Sequence, residues 1–261
     1  MRVLVPLDGS DKDQRALLVG GALAELSHGE VRRVHVDDGD VADELLRKAN
    51  DLACDLIVLA TRAPGTLARA FFGSVADEVV RKASLPVVVV PPGAIYGSEG
   101  HIEIHRALVP LDGSSAALGV IDQLRALVPT RGMEYVLMHV VHPESTGGYM
   151  LPEPVPPFTV GDVATSREAR ALHVQVEHAE LHLQELAEQL RGKGESATVL
   201  AVESTDPAAA IIDAVREQLV DLIAMSTRGA GGLERLLLGS VANRVARLSE
   251  VPVFLVTPRS S

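Results

Sequence analysis

The chain repeats itself, and this limits its fold more than any other feature of the sequence. Val3-Leu4-Val5-Pro6-Leu7-Asp8-Gly9-Ser10 returns as Ala107-Leu108-Val109-Pro110-Leu111-Asp112-Gly113-Ser114. Asp55-Leu56-Ile57-Val58-Leu59-Ala60-Thr61-Arg62 returns as Asp221-Leu222-Ile223-Ala224-Met225-Ser226-Thr227-Arg228. Gly73-Ser74-Val75-Ala76 returns as Gly239-Ser240-Val241-Ala242, and Pro86-Val87-Val88-Val89-Val90 as Pro252-Val253-Phe254-Leu255-Val256. Four matches in one order imply a duplicated unit. The Pro/Gly-rich stretch 91–100 reads as the linker, which places one domain at 1–95 and a second at 104–261.

Within each repeat, short apolar runs alternate with helical patterns. The runs are rich in β-branched residues and lack apolar/polar alternation, as strands covered on both faces do. With 47 % hydrophobic residues and only 3 % aromatic, the core must be built from Val, Leu, Ile and Ala. The expected fold class is α/β: two tandem, open, doubly wound parallel sheets of the nucleotide-binding type. In the second repeat strands are predicted at 106–111, 134–141, 197–203, 221–226 and 252–257, with helices at 115–128, 166–191, 207–219 and 240–248. Asp206 followed by Pro207 predicts an N-cap with proline at the first helical position. In helix 166–191, Leu172, Val176, Ala179, Leu183, Leu186 and Leu190 recur at helical spacing and should face the sheet. The segment 143–157 reads as a surface loop. The first repeat is shorter, about 95 residues against about 157, and lacks one strand–helix unit. Val34-His35-Val36 matches the second strand of the other repeat, Met138-His139-Val140, yet Gly39-Asp40 leading into a helix matches the segment after its third strand. Either unit fits as the one lost.

The segment 229–240 carries the chemistry. Gly229 is followed by nine residues and then by Gly239-Ser240-Val241, leaving a buried strand and entering a helix. Open parallel sheets hold ligands beyond the carboxyl ends of their strands. A helix N-terminus there offers unpaired N–H groups and a partial positive charge, and glycines let the backbone approach an anion. Ser240 can donate its hydroxyl to a phosphate, or serve as the helix N-cap. Neither a Walker lysine motif nor GxGxxG is present.

These residues resemble the universal stress protein family, whose nucleotide motif reads G-x-x-G, nine residues, then G-S or G-T. Here it stands as Ser226-Thr227-Arg228-Gly229, 230–238, Gly239-Ser240. Ser226 replaces the first glycine, which in the family lies by the ribose. The resemblance implies ATP as ligand, with Mg2+ or Mn2+ as an optional companion that no protein ligand set requires. It further implies that Pro110 and Asp112 face the adenosine, that the backbone of Val140 pairs with the adenine edge, and that Gly229, Gly239, Ser240 and Val241 cradle phosphates. In the first repeat Ala60 and Ala63 occupy the leading glycine positions and Pro64 follows, so no tight nucleotide binding is expected there. In the family the last strands of two domains pair; here 86–90 and 252–256 would do so within one chain, as a pseudo-dimer that hides two apolar edges. Further homodimerisation stays open.

A net charge of −11 argues against non-specific nucleic-acid binding. The N-terminal run does not read as a signal peptide and no apolar stretch is long enough to span a membrane, so a cytoplasmic protein is expected. Cys54 reads as a buried hydrophobe. His173, His178 and His182 share a helix without a completing carboxylate or cysteine pattern, so no metal site is expected; His101 and His105 read as surface residues. Asp8 and Asp112 read as capping residues of D-G-S turns. No nucleophile–base pair appears, so no catalytic residue is assigned and any hydrolysis should be slow. The expected function is an ATP-binding regulator of the stress response with one competent site. The alternative is a nucleotide-free interaction module whose glycine loops are only turns, a reading that Ser226 favours.

Overall fold

The computed structural model describes residues 1–36, 40–61, 74–94, 102–128, 133–143, 160–227 and 238–258, with side chains of 160–169 left out of the description. Nine strands form one open sheet in the order β2-β1-β3-β4-β9-β8-β5-β6-β7. The strands are β1 (Arg2–Leu7), β2 (Glu30–His35), β3 (Leu56–Ala60), β4 (Val87–Val90), β5 (Arg106–Pro110), β6 (Glu134–Val141), β7 (Ser196–Glu203), β8 (Leu222–Ser226) and β9 (Val253–Val256). All neighbours run parallel except β4 and β9, which pair antiparallel through Val87↔Leu255, Val88↔Phe254 and Val89↔Val253. The expected pairing of 86–90 with 252–256 is therefore present, and it fuses two sheets into one.

Helices cover both faces. α1 (Lys12–Leu26), α4 (Ser115–Leu127) and α5 (Val160–Gly192) pack on one. On the other lie α2 (Val41–Asp51), α3 (Ser74–Lys82), α6 (Pro207–Glu217) and α7 (Ser240–Leu248). Successive strand residues feed opposite cores: Val3 and Val5 meet α1, while Leu4 faces the α2 side. Double coverage is why β4, β8 and β9 are buried along their whole length and show no alternation in sequence. Gly20 lets α1 lie close on β1: a Cβ there would come within 2.8 Å of Val5 Cγ2.

Strands and helices of the second repeat fall within a few residues of expectation, α5 excepted. This helix starts earlier than predicted, and only its C-terminal part reaches the sheet. Leu183, Ala187 and Leu190 are buried and Leu186 packs partly against them, whereas Leu172, Val176 and Ala179 stay half-buried outside that core. Length explains it: 33 helical residues span about 50 Å, an eight-residue strand about 27 Å. No helix among the described residues is long and apolar enough to cross a membrane. Residues 95–100 of the expected linker and 144–157 of the expected loop lie outside the described residues.

The structure also settles which unit the first repeat lost. β2 pairs with β1 in the register that β6 keeps with β5, Arg2↔Glu30 against Arg106↔Glu134. β2 then leads into α2, which packs beside α3 on the same face that α6 shares with α7. The counterparts of α5 and β7 are missing. As a result β2 is an outer edge, and Arg32 and Arg33 stand exposed where β6 buries Val136 and Leu137. Charge on an unpaired edge deters strand addition by another chain.

Candidate functional site

In the second repeat β5 is the switch strand: β6 and β7 lie to one side of it, β8 and β9 to the other. Its ladder with β8 holds only Ala107↔Leu222 and Leu108↔Ile223, after which the strands part. Crevices of this kind, outside the carboxyl ends at a change of winding direction, are where open α/β sheets take ligands. Pro110 ends β5, Val140 is near the end of β6, Ser226 ends β8, and Gly239, Ser240 and Val241 open α7. All therefore collect at one edge. Gly229 lies outside the described residues, as do 228–237 of the loop around it.

Asp112 sits in the D-G-S turn after β5. Its carboxylate accepts the Ser114 amide (3.0 Å) and hydroxyl (2.6 Å), and Ser114 Oγ in turn accepts the Ala117 N–H at 3.2 Å as cap of α4. Gly113 has φ +80°, a conformation glycine adopts without strain. The turn thus has the capping geometry read from sequence. On β6, Met138 O accepts the Leu111 N–H and Val141 O accepts the Ser204 N–H from the β7 side. Alternation then turns the backbone groups of Val140 toward the β5 side, past the last laddered pair, Pro110↔Met138. His139 Nδ1 lies 2.7 Å from Leu111 O, to which its N–H donates, tying the two strand ends together.

α7, like α1, begins without a side-chain cap. Side chains cap α2, α4 and α6: Asp40 accepts from Asp43, Ser114 from Ala117, and Asp206 from Ala209, with Pro207 at the first position as expected. α7 has Gly239 as N-cap and no side-chain cap. Ser240, read as a possible cap, is instead the first helical residue, and exposed. The Gly239 N–H donates to Thr227 O at 2.8 Å, joining the start of α7 to the end of β8. The next N–H groups of α7 have no helical acceptor by geometry and carry the positive end of the helix dipole. One turn on, Arg244 pairs with Asp206 at 2.6 Å and, together with the Ala209 amide, holds that carboxylate below the usual range.

The first repeat answers the same geometry with its own side chains. Asp13 Oδ2 accepts the Asp8 and Gly9 N–H groups at 3.0 and 2.8 Å. Lys12 pairs with Asp8 at 2.6 Å. Burial would raise the Asp8 pKa, but Lys12 and Ser10 bonding outweighs it and holds the carboxyl far below the usual range. Seven residues on from Asp8, the Arg15 guanidinium bridges Thr61 O (2.9 Å) and Pro91 O (2.8 Å) across the ends of β3 and β4. Seven residues on from Asp112 stands Gly119, where a Cβ would meet nothing within 4 Å. Ala60 ends β3; Ala63, Pro64 and Gly73 lie outside the described residues. Sequence reasoning missed the roles of Lys12, Asp13 and Arg15, although each is a charged residue where the second repeat has Ala116, Ala117 and Gly119.

The model of the universal stress protein family matches residues 22–91 and 103–257, both repeats and most of the chain. The chain belongs to the universal stress protein family. A universal stress protein of Mycolicibacterium smegmatis is 26 % identical over 251 residues, 95 % of this chain and 76 % of its own length. Universal stress protein YxiE of Bacillus subtilis is 27 % identical over 157 residues, 58 % of this chain and 98 % of its own. The solved universal stress protein of Archaeoglobus fulgidus aligns over 98 % of this chain and 96 % of its own with a TM-score of 0.60 at 19 % identity, a likeness of fold. This universal stress protein shows no group of His, Cys, Asp or Glu able to hold a metal among the described residues. His173 pairs with Glu177 at 3.2 Å on an exposed face, and His178 and His182 are exposed as expected. Cys54 is 5 % exposed, and burial with Asp55 nearby pushes its thiol pKa up.

Proposed function

We propose that the chain binds one ATP at the carboxyl edge of β5, β6 and β8 and acts as a non-enzymatic, cytoplasmic regulator in the stress response. Its domains are 1–95, without nucleotide, and 104–261, with the competent site. The observation that carries this reading is the start of α7, which has no side-chain cap among the described residues and is joined to the end of β8 by the Gly239 N–H. Gly239, Ser240 and Val241 supply that cradle with Gly229. Asp112 and Pro110 face the adenosine, and the Val140 backbone is turned toward the adenine edge. Ser226 lies on the ribose side. A Mg2+ or Mn2+ ion would accompany the triphosphate through phosphate oxygens. The acidic net charge supports a nucleotide held by main-chain dipoles rather than a nucleic acid held by a basic face. With no base placed for attack on a phosphate among the described residues, turnover is slow or absent. Pairing with a second copy, beyond the internal β4–β9 joint, is compatible with this reading.

A second reading, a nucleotide-free interaction module, draws on Ser226. This residue is 7 % exposed and pairs with Val256 at the end of β8, so it completes a strand where the motif would have glycine. Heat-denaturing the purified protein and running the supernatant on anion exchange decides between them. Adenine nucleotide near one equivalent per chain, lost on Gly239→Val, supports the first reading. No nucleotide, together with no heat of binding on titrating ATP into the protein, establishes the second.

A further inference from the structure

Thr227 is the residue immediately after β8, and its hydroxyl is anomalous. The side chain is 4 % exposed, and Oγ1 is buried without a hydrogen-bond partner among the described residues. Leaving a buried hydroxyl unpaired is costly, so such a group asks for an explanation. The same position in the first repeat has one. Thr61 is 3 % exposed and its Oγ1 donates to Val90 O at 3.3 Å. The backbone bonds around the two threonines match, Thr61 N–H to Val90 O at 2.9 Å and Thr227 N–H to Val256 O at 2.8 Å. The two hydroxyls differ all the same: one is satisfied inside the protein and the other is not.

The surroundings of Thr227 say what it lacks. Its own carbonyl accepts the Gly239 N–H, so the residue stands against the uncapped entrance of α7. A hydroxyl can donate one proton, and an anion seated at that entrance, next to the Thr227 carbonyl, would supply an acceptor. We infer that Thr227 is a ligand-positioning residue whose hydroxyl donates to a phosphate oxygen of the bound nucleotide. This rests on the proposed nucleotide site and goes beyond it: the family motif leaves this position unspecified. In the first repeat the charged side chains fill the edge, and Thr61 has turned its hydroxyl to the strand.

The test combines calorimetric titration with thermal scans of the full chain, using Thr227→Val, Thr227→Ser and, as control, Thr61→Val. A hydrogen bond to a charged acceptor lost from the complex weakens ATP binding about tenfold or more. The expected result for Thr227→Val is that loss for ATP, unchanged affinity for adenosine, and a ligand-free Tm equal to or above wild type, since a methyl replaces an unpaired hydroxyl. Thr227→Ser keeps ATP affinity within about threefold, because the donor remains. Thr61→Val lowers the ligand-free Tm and leaves ATP affinity alone. Wild-type ATP binding with an unchanged Thr227→Val affinity overturns the inference while leaving the nucleotide reading intact. So does a fall in ligand-free Tm, which marks the hydroxyl as structural. Equal losses for ATP and adenosine move the contact off the phosphate and also overturn it. Absence of ATP binding in wild type removes the proposed function and the inference together.

Discussion

The ammonium of Lys12 lies 2.6 Å from the carboxylate of Asp8. In the second repeat the residue four past Asp112 is Ala116, so this lysine contact has no counterpart there. Asp8 is neutralised from its own helix, a contact that Ala116 cannot make for Asp112. The expected outcome is one ATP per chain by titration calorimetry, unchanged by Asp8→Ala and lost or cut more than tenfold by Asp112→Ala. Two equivalents in the wild type would refute the assignment of the first repeat.

Asp77 provides a pH prediction. Its side chain is nearly buried in α3, burial pushes its pKa above the usual carboxylate value, and Arg81 opposes the shift from 3.4 Å. An acid with a raised folded-state pKa binds its proton more firmly folded than unfolded. That favours the folded state at low pH, and the advantage fades as pH rises from the ordinary carboxylate range through the raised value. Asp77→Asn removes the titration, and Asn243 already stands at the matching place in the second repeat. Urea denaturation at about pH 4 and about pH 7 should show the variant gaining on wild type at the higher pH. Parallel behaviour at both would show that Asp77 titrates normally.

Neighbouring glycines in α1 should respond oppositely. At Gly21 a Cβ meets nothing within 4 Å, so Gly21→Ala should stabilise by up to about 1 kcal/mol through helix propensity. At Gly20 the new methyl would press on Val5 Cγ2 at 2.8 Å, and overpacking of about 1–3 kcal/mol offsets the same gain. Thermal unfolding of the two variants side by side should place Gly21→Ala above wild type and Gly20→Ala at or below it.

The outer edge of β2 invites a gain-of-association experiment. Restoring the β6 pattern with Arg32→Val and Arg33→Leu removes two exposed charges from a strand whose outer edge is unpaired. Size exclusion with light scattering should then show dimers or larger species where wild type shows fewer. An unchanged profile would mean that these arginines do not guard the edge.

The central joint carries one of the large buried side chains of the core. Phe254 is fully buried and pairs with Val88 across the antiparallel seam. Phe254→Ala should cost about 3–5 kcal/mol, read from the denaturation midpoint.

Most of the architecture was legible because its signals are local. Unbroken β-branched runs such as 87–90 mark doubly covered strands, and Asp206-Pro207 marks a helix start. The β4–β9 pairing came from the family resemblance and not from the residues alone. The lost unit was illegible because Val34-His35-Val36 and Asp40 fit two alignments. Only the strand beside β1 and the face taken by α2 choose between them, and both are tertiary facts. Half of α5 misled for a similar reason: its apolar spacing continues past the point where the sheet ends. That Asp112, Val140 and Gly239 lie toward one edge of the sheet followed from the family resemblance together with the order of strands. The self-occupation of the first repeat could not, since Arg15 spans residues far apart in sequence and its reach to Pro91 depends on the folded backbone.

Joining the halves across β4 and β9 has an evolutionary consequence. In an assembly of two identical chains every substitution appears twice, so a change that ruins one cleft ruins its twin. Here Lys12, Asp13 and Arg15 stand on one side only, opposite Ala116, Ala117 and Gly119. A single polypeptide lets its two halves diverge independently, and it holds the pair together however dilute the protein becomes.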